Sequence, residues 1–357
     1  MSDWRFEWVT SWDEVWTGSF EAAWRRWMAE SRSAHVFFEP AVVRAWTEAY
    51  REVRRIEPRF VVGRGPSGET AFLPLVLDRG KWKDCWRRAL VPAGWGEFDV
   101  QDPILVSGDE RDCWEGFWKG LTGELERRWR STFDWFSMPR TTAPVDGSME
   151  VADEAPFLEL RGIRSAEELV KGRSAKKHQS ALRSQLGTTV LDVLPRDASA
   201  EECGAFLREF LGNHARRWPG AGTPRSYYFL LAKYAVPEGI LTLNRLKCGG
   251  TPVSWRLSFL HKRTSVIYVQ AFAAGAGHYS PGVIHFLHLV NWSVERGCTR
   301  LDFGRGKEDW KMRWTDNTYP LYGTSRAAAG VRASMTERWH QTVRPALVGL
   351  KRFLTRA

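Results

Sequence analysis

Residues 265–314 read SVIYVQAFAAGAGHYSPGVIHFLHLVNWSVERGCTRLDFGRGKEDWKMRW, and the fold is decided in this stretch. Residues 265–273, SVIYVQAFA, are β-prone and predict a strand. Ser280 and Pro281 suit the cap and first turn of a helix over about 281–296, which Gly297 ends in the C′ position. Val283, Ile284, Phe286, Leu287, Leu289, Val290 and Val294 make that helix apolar nearly all round, so it must be buried. TRLDFG, residues 299–304, predicts the next strand. A helix start offers unpaired N–H donors and partial positive charge, which together bind phosphate. Gly282 would let a diphosphate approach the backbone. The same letters also fit an ordinary capped helix.

Outward from this stretch, the pattern repeats. Residues 240–260 form a hairpin around Gly249-Gly250, preceded by helical segments at 174–186, 200–217 and 226–235. The first half shows helices at 13–30 and after Pro40, a hairpin over 59–77, a helix over 112–129 and a strand at 134–139. Both halves thus read helix, helix, hairpin, further sheet, helix, strand. The polar stretch RTTAPVDGSMEVADEA, residues 140–155, is the expected boundary. The chain is expected to be an α/β (α+β) protein with two tandem duplicated domains, 1–145 and 155–330. A basic helical tail, 331–357, reads as a capping helix or as a membrane-surface helix.

The chain has 357 residues, 43% hydrophobic and 26% charged, which fits two folded cores and argues against disorder. Its net charge of +10 suits an anionic partner: nucleic acid, an acidic membrane face or a phosphate-rich cofactor. Five scattered cysteines without a CxxC pair suggest neither a disulfide framework nor a zinc site. The opening MSDWRFEWVTSWDEVW carries acidic residues and no apolar run, and no window is long and apolar enough to span a bilayer. A cytoplasmic location is expected, with peripheral membrane contact left open. Most of the 20 tryptophans should be packing material. There is no GxSxG elbow, GxxxxGK[ST] or HExxH, which weakens hydrolase, P-loop and zincin readings. His285 and His288 are three apart on the buried helix, but no carboxylate or cysteine joins them, and no metal is expected.

The order strand, YSPG, buried helix, ERG, LDFGRG, EDWKMRW resembles the C-terminal GNAT domain of a bacterial acetyltransferase family associated with cellulose or exopolysaccharide biosynthesis. That family is related in architecture to Fem-type peptidoglycan aminoacyl transferases. KGRSAKKHQSALRSQL (171–186), HARRW (214–218), FFEP (37–40) and AFLPLVL (71–77) extend the resemblance over about residues 35–320. It implies two GNAT-like domains, each a mixed, mostly antiparallel sheet flanked by helices, with the donor site in the second. The donor it implies is acetyl-CoA or another acyl-CoA. YSPG stands where a Gln/Arg-x-x-Gly-x-Gly loop is usual.

On this basis Ala271, Tyr279, Ser280, Pro281, Gly282 and Val283 are expected to hold the acyl-CoA. The strands 265–273 and 299–304 would part around it, and backbone near Gln270 and Ala271 would line the acyl group. Asp302 is the best polar candidate to orient the amine or help take its proton, or else a structural Asp holding the next turn. Tyr268 alternates with Gln270 and reads as a proton donor or as core. Lys311 and Arg313, with Arg305, read as an anion-binding group or as a solvated charge run. Arg217 and Trp218, by resemblance, face the acceptor cleft, and a capping role fits equally. Three functions follow. The first is an N-acyltransferase acting on an amine, with an amino sugar or glycan precursor as the candidate acceptor. The second is an aminoacyl-tRNA-dependent transferase, the one case in which nucleic acid is a partner. The third is a non-catalytic accessory module.

Overall fold

The computed structural model describes residues 4–80, 87–106, 110–129, 131–142, 149–170, 188–220, 222–277, 280–328 and 331–339. The basic segment 174–186, Tyr279 and most of the tail lie outside them. The chain divides into two compact units: residues 1–152 with 321–357, and residues 153–320.

The first unit begins with β1 (Arg5–Val9), α1 (Trp12–Val15), α2 (Gly18–Glu30) and α3 (Pro40–Val53). The single helix expected over 13–30 is two, because Thr17 restarts the chain. Its hydroxyl accepts the Phe20 N–H and caps α2. Then come β2 (Arg55–Arg64), β3 (Thr70–Arg79), β4 (Arg88–Pro92), β5 (Ile104–Val106), α4 (Glu110–Glu124) and β6 (Trp135–Thr141). β1, β2, β3 and β4 pair antiparallel in sequence, and β4 pairs parallel with β6. Trp24, Trp46, Phe37, Phe60, Phe72, Phe98 and Trp118 are fully buried and fill this core.

The second unit is entered within β7 (Glu150–Glu159). It continues through β8 (Thr189–Val193), α5 (Ala200–Arg217), α6 (Arg225–Ala235), β9 (Leu241–Cys248), β10 (Thr251–His261) and β11 (Thr264–Phe272). α7 (Pro281–Glu295), β12 (Arg300–Asp302) and the short α8 (Asp309–Met312) complete it. Its sheet runs β7-β12-β11-β10-β9-β8, antiparallel except for the β11–β12 pair. α5 opens with a capping box between Ser199 and Glu202. Ile267, Phe286, Leu289, Val290, Leu301 and Phe303 form a core that seats α7 on the sheet.

The chain leaves this unit within β13 (Thr318–Ala327), and α9 (Val331–Arg338) follows. Residues 322–327 pair with β6 of the first unit, and Arg332 bonds the buried Asp134. Residues 321–330, which the sequence reading placed in the second domain, therefore belong to the first compact unit, as does the described part of the tail. The observed fold class is the expected one: duplicated α/β units with mostly antiparallel sheets and flanking helices.

Candidate active site in the second unit

β11 and β12 pair only over Thr264–Val266 and Arg300–Asp302. β12 ends there because Gly304 and Gly306, at φ 68° and 92°, turn the chain away. β11 runs on to Phe272, still paired to β10 on its other side. The two parallel strands therefore part after Val266. Between Leu257 and Ser258 the β10 register slips by one residue, which leaves Tyr268 as the extra residue of a bulge in β11. The bulge resets the alternation, so Gln270 stands opposite Arg256 while Ile267 stands opposite Ser258.

α7 starts at Pro281 as expected, but Ser280 does not cap it. Ser280 sits in the left-handed region at φ 53°, ψ 53° and its side chain makes no capping bond. Its carbonyl instead accepts the Val283 N–H at 2.9 Å. That bond takes the Val283 N–H and Pro281 has none, so the Gly282 amide, with no capping side chain on it, is the one left for another acceptor. A Cβ at Gly282 would meet nothing within 4 Å, nor would one at Gly275 or Gly277, so this end of the loop faces open space.

His285, the fifth residue of α7, is fully buried. Its Nε2 lies 2.8 Å from Asn244 Oδ1 on β9, and its Nδ1 lies 2.9 Å from Ser254 Oγ on β10. An amide oxygen only accepts, so Nε2 carries the proton and Nδ1 accepts the serine hydroxyl. Burial, with the charges of Arg256 and His288 nearby, drives the His285 pKa well below its ordinary value, and the ring is neutral. Both nitrogens are used in fixing α7 to the sheet.

The expected site residues fall into two groups. Gln270, Ala271 and Tyr268 lie on β11, near the parting strands. Gln270 Oε1 accepts from Arg256 Nη2 at 2.8 Å. Tyr268 packs its ring on Phe259, and its hydroxyl lies 3.2 Å from that of Tyr227 on α6. Arg217, at the C-terminal end of α5, stacks on Phe272, the last residue of β11, at 4.3 Å, and beside it Trp218 is 54% exposed. Asp302, Arg305 and Lys311 gather around the turn after β12. Asp302 is buried and accepts from Gly304 N–H at 2.8 Å, the Tyr319 hydroxyl at 2.9 Å and Arg300 at 3.4 Å. Burial raises its pKa. These three donors hold the carboxylate on the turn after β12. Lys311, expected to meet an anion, is also buried. Its ammonium donates to the carbonyls of Arg305 and Gly306 and pairs with Glu308 at 2.8 Å. Its protons are thus taken by its own loop. Arg305 is exposed.

Sequence reasoning missed Arg256, Asn244 and Ser254. The signal for Arg256 was a charge inside VSWRLSFL, a strand that otherwise reads as buried on both faces. Arg256 is 0% exposed. Its Nε and Nη1 have no hydrogen-bond partner among the described residues, and burial lowers its pKa to about 9.

The first unit repeats the parallel pair, with Ala89 and Leu90 of β4 against Trp135 and Phe136 of β6. Its following loop is packed shut. Arg140 bonds the carbonyls of Trp95 and Phe98 at 2.6 and 2.8 Å, and Gln101 bonds Gly94 O at 3.1 Å. A Cβ at Gly94 would fall 2.0 Å from the Phe98 ring.

The second unit thus combines a parting of its parallel strand pair with an open helix start. Residues 172–312 match the acetyltransferase (GNAT) domain family. The fold of the whole chain resembles the C-terminal domain of a putative lysylphosphatidylglycerol synthetase from Agrobacterium fabrum. That match has 14% identity and a TM-score of 0.55 and covers 88% of this chain and 94% of that one. FemX matches at 10% identity and TM-score 0.59, covering 85% and 95%. A conserved protein of Bacteroides thetaiotaomicron matches at 12% and 0.53, covering 87% and 97%. No curated protein matches the sequence.

Proposed function

We propose that the second unit transfers an acyl group from an acyl-CoA thioester to an amine. The observation that carries this reading is the departure of β12 from β11 beside the uncapped, open start of a buried helix, inside a domain that matches the GNAT acetyltransferases. The thioester brings the activated acyl group, so the protein's work is alignment and charge stabilisation. The amide at Gly282, with the positive end of α7, binds the diphosphate, whereas the Val283 N–H, also expected there, is already given to the Ser280 carbonyl. The backbone of Gln270 and Ala271, on the free edge of β11, lines the acyl group. Arg217 and Trp218, at the end of α5 beside Phe272, meet the acceptor. Tyr268, whose hydroxyl shares a hydrogen bond with Tyr227, protonates the leaving thiolate, and the proton that the attacking amine loses on forming the amide passes through solvent water back to the tyrosinate. The resemblance stated above makes an amino sugar or glycan precursor the acceptor to try first.

A second reading is an aminoacyl donor. The net charge of +10 would suit tRNA, and the similar fold described as a putative lysylphosphatidylglycerol synthetase keeps it in view. The test is a thermal-shift panel of acetyl-CoA, longer acyl-CoAs, free CoA, nucleotide sugars and aminoacyl-tRNA. A ligand at about 100 times its Kd stabilises by roughly 2.7 kcal/mol. CoA esters should raise the melting temperature, and Gly282→Trp, placed in open space, should fold and lose that shift. An unchanged shift in Gly282→Trp would remove this helix start from the donor site.

A further inference from the structure

Arg256 is an anomaly. It is a wholly buried cation with no carboxylate against it among the described residues, and it is held by one neutral amide. A charge kept out of water without an ion partner is expensive, so its retention in the middle of β10 needs a cause. Its position supplies one. Gln270, its register partner, stands on the stretch of β11 beyond the last pairing with β12, where the strands have parted. A guanidinium only donates, so Gln270 must present Oε1 to it, and the Nε2 amino group points the other way. Gln270 is half-buried, while Arg256 lies behind it, out of reach of solvent. The pair therefore offers the donor slot N–H groups backed by a fixed positive charge, and no acceptor. His285 is neutral and adds no second positive charge.

We propose that Arg256, acting through Gln270, makes the donor slot selective for neutral and acidic acyl groups and against aminoacyl groups. This rests on the acyl-CoA reading above and names its donor class. An α- or β-ammonium on the acyl chain would face N–H donors and a like charge, whereas a carbonyl, hydroxyl or carboxylate oxygen would find both complementary. Arg256 is a positioning and specificity residue in this account; it does not touch the reacting atoms. At an effective dielectric of roughly 20, a unit charge about 6–12 Å away changes binding by about ten- to a hundredfold.

Three CoA esters of similar length separate charge from size: butyryl-CoA, β-alanyl-CoA and succinyl-CoA. Their affinities for the full chain, measured by calorimetry beside free CoA, should place β-alanyl-CoA about tenfold or more below butyryl-CoA, with succinyl-CoA the tightest. In Arg256→Met the three should converge to within about threefold while free CoA binds as before. That variant loses an unpaired buried charge and is expected to fold. Gln270→Glu gives a second route. It neutralises Arg256 with a carboxylate, should raise the melting temperature, and should remove the preference for succinyl-CoA. Equal binding of the three esters by the wild type, or discrimination that survives in both folded variants, overturns the proposal. If free CoA does not bind at all, the donor reading itself falls and takes this proposal with it. If CoA binds but charge makes no difference, this proposal alone falls.

Discussion

Replacing His285 with Leu should destabilise the second unit by several kcal/mol, and the loss should come from the sheet rather than from the helix. Leu fills much of the imidazole volume, so the cavity is small. What it cannot do is donate to Asn244 Oδ1 or accept from Ser254 Oγ, which the ring now contacts at 2.8 and 2.9 Å. Each polar atom stranded in a core costs about 1–3 kcal/mol, which makes the sum about 2–6 kcal/mol. That is a large part of a domain's usual 5–15 kcal/mol. Removing the stranded partners as well, in His285→Leu with Asn244→Leu and Ser254→Ala, should recover most of it, because an apolar set of similar shape leaves nothing unsatisfied. The ring also predicts a pH dependence. Its folded pKa is depressed, so the stability it contributes is present above the unfolded value near 6.5 and is lost as pH falls through the folded pKa. The slope in that window approaches about 1.4 kcal/mol per pH unit and should be missing in the variants. Urea denaturation at several pH values, with hydrogen exchange of the α7 and β9 amides as a local readout, measures both effects. A cost under about 1 kcal/mol, or a triple variant no more stable than the single one, would refute the network as the clamp on α7.

Two further outcomes follow from buried carboxylates. Asp102, in the first unit, is wholly buried against Thr142, and burial raises its pKa from 3.8 to about 6. Its folded pKa is the higher one, so the stability it contributes is full below about pH 4 and is lost as pH rises through 6. The loss is about 3 kcal/mol at most. Asp102→Asn should therefore be more stable than wild type at pH 8 and equal to it near pH 3.5, as read from melting curves across that range. Asp302→Asn should keep activity within about tenfold and leave the pH profile unchanged, because a general base lost outright costs about a hundredfold or more. A drop of that size, with one limb of the profile gone, would return Asp302 to the chemistry.

Much of this fold could be read from the sequence because its signals are local. The apolar positions of α7, the Gly249-Gly250 turn and the repeated hairpin at 59–77 each specify their element through neighbours a few residues away. What could not be read depends on the partner across the sheet. β1 and β13 are strands only because β2 and β6 offer them edges. The cap at Ser280 looked right in its letters, yet the left-handed torsion of that residue is set by the loop it closes. Asp302 and Lys311 sit in a motif rich in charge, and charge in sequence does not say whether a carbonyl or solvent will meet it. Here carbonyls take the ammonium, and a tyrosine, an amide and an arginine take the carboxylate. The reverse error hid Arg256, since one charge within an apolar strand reads as noise until its burial is known.

The duplication explains how such a residue survives. Two units share one topology, and each has a parallel strand pair that is short, with a loop leading from the first strand of the pair to a helix. In the first unit Phe98, Gln101 and Arg140 spend that loop on packing, with the guanidinium satisfied by two backbone carbonyls. In the second, Gly275, Gly277 and Gly282 face open space, and two nitrogens of the buried guanidinium are unmatched among the described residues. The same chemical group is thus structural where the slot is filled and unsatisfied where it is open. Stability alone would favour the first arrangement in both units, because a satisfied cation costs less than an orphaned one. Keeping the second arrangement makes sense if the orphaned charge acts on something other than the protein's own backbone.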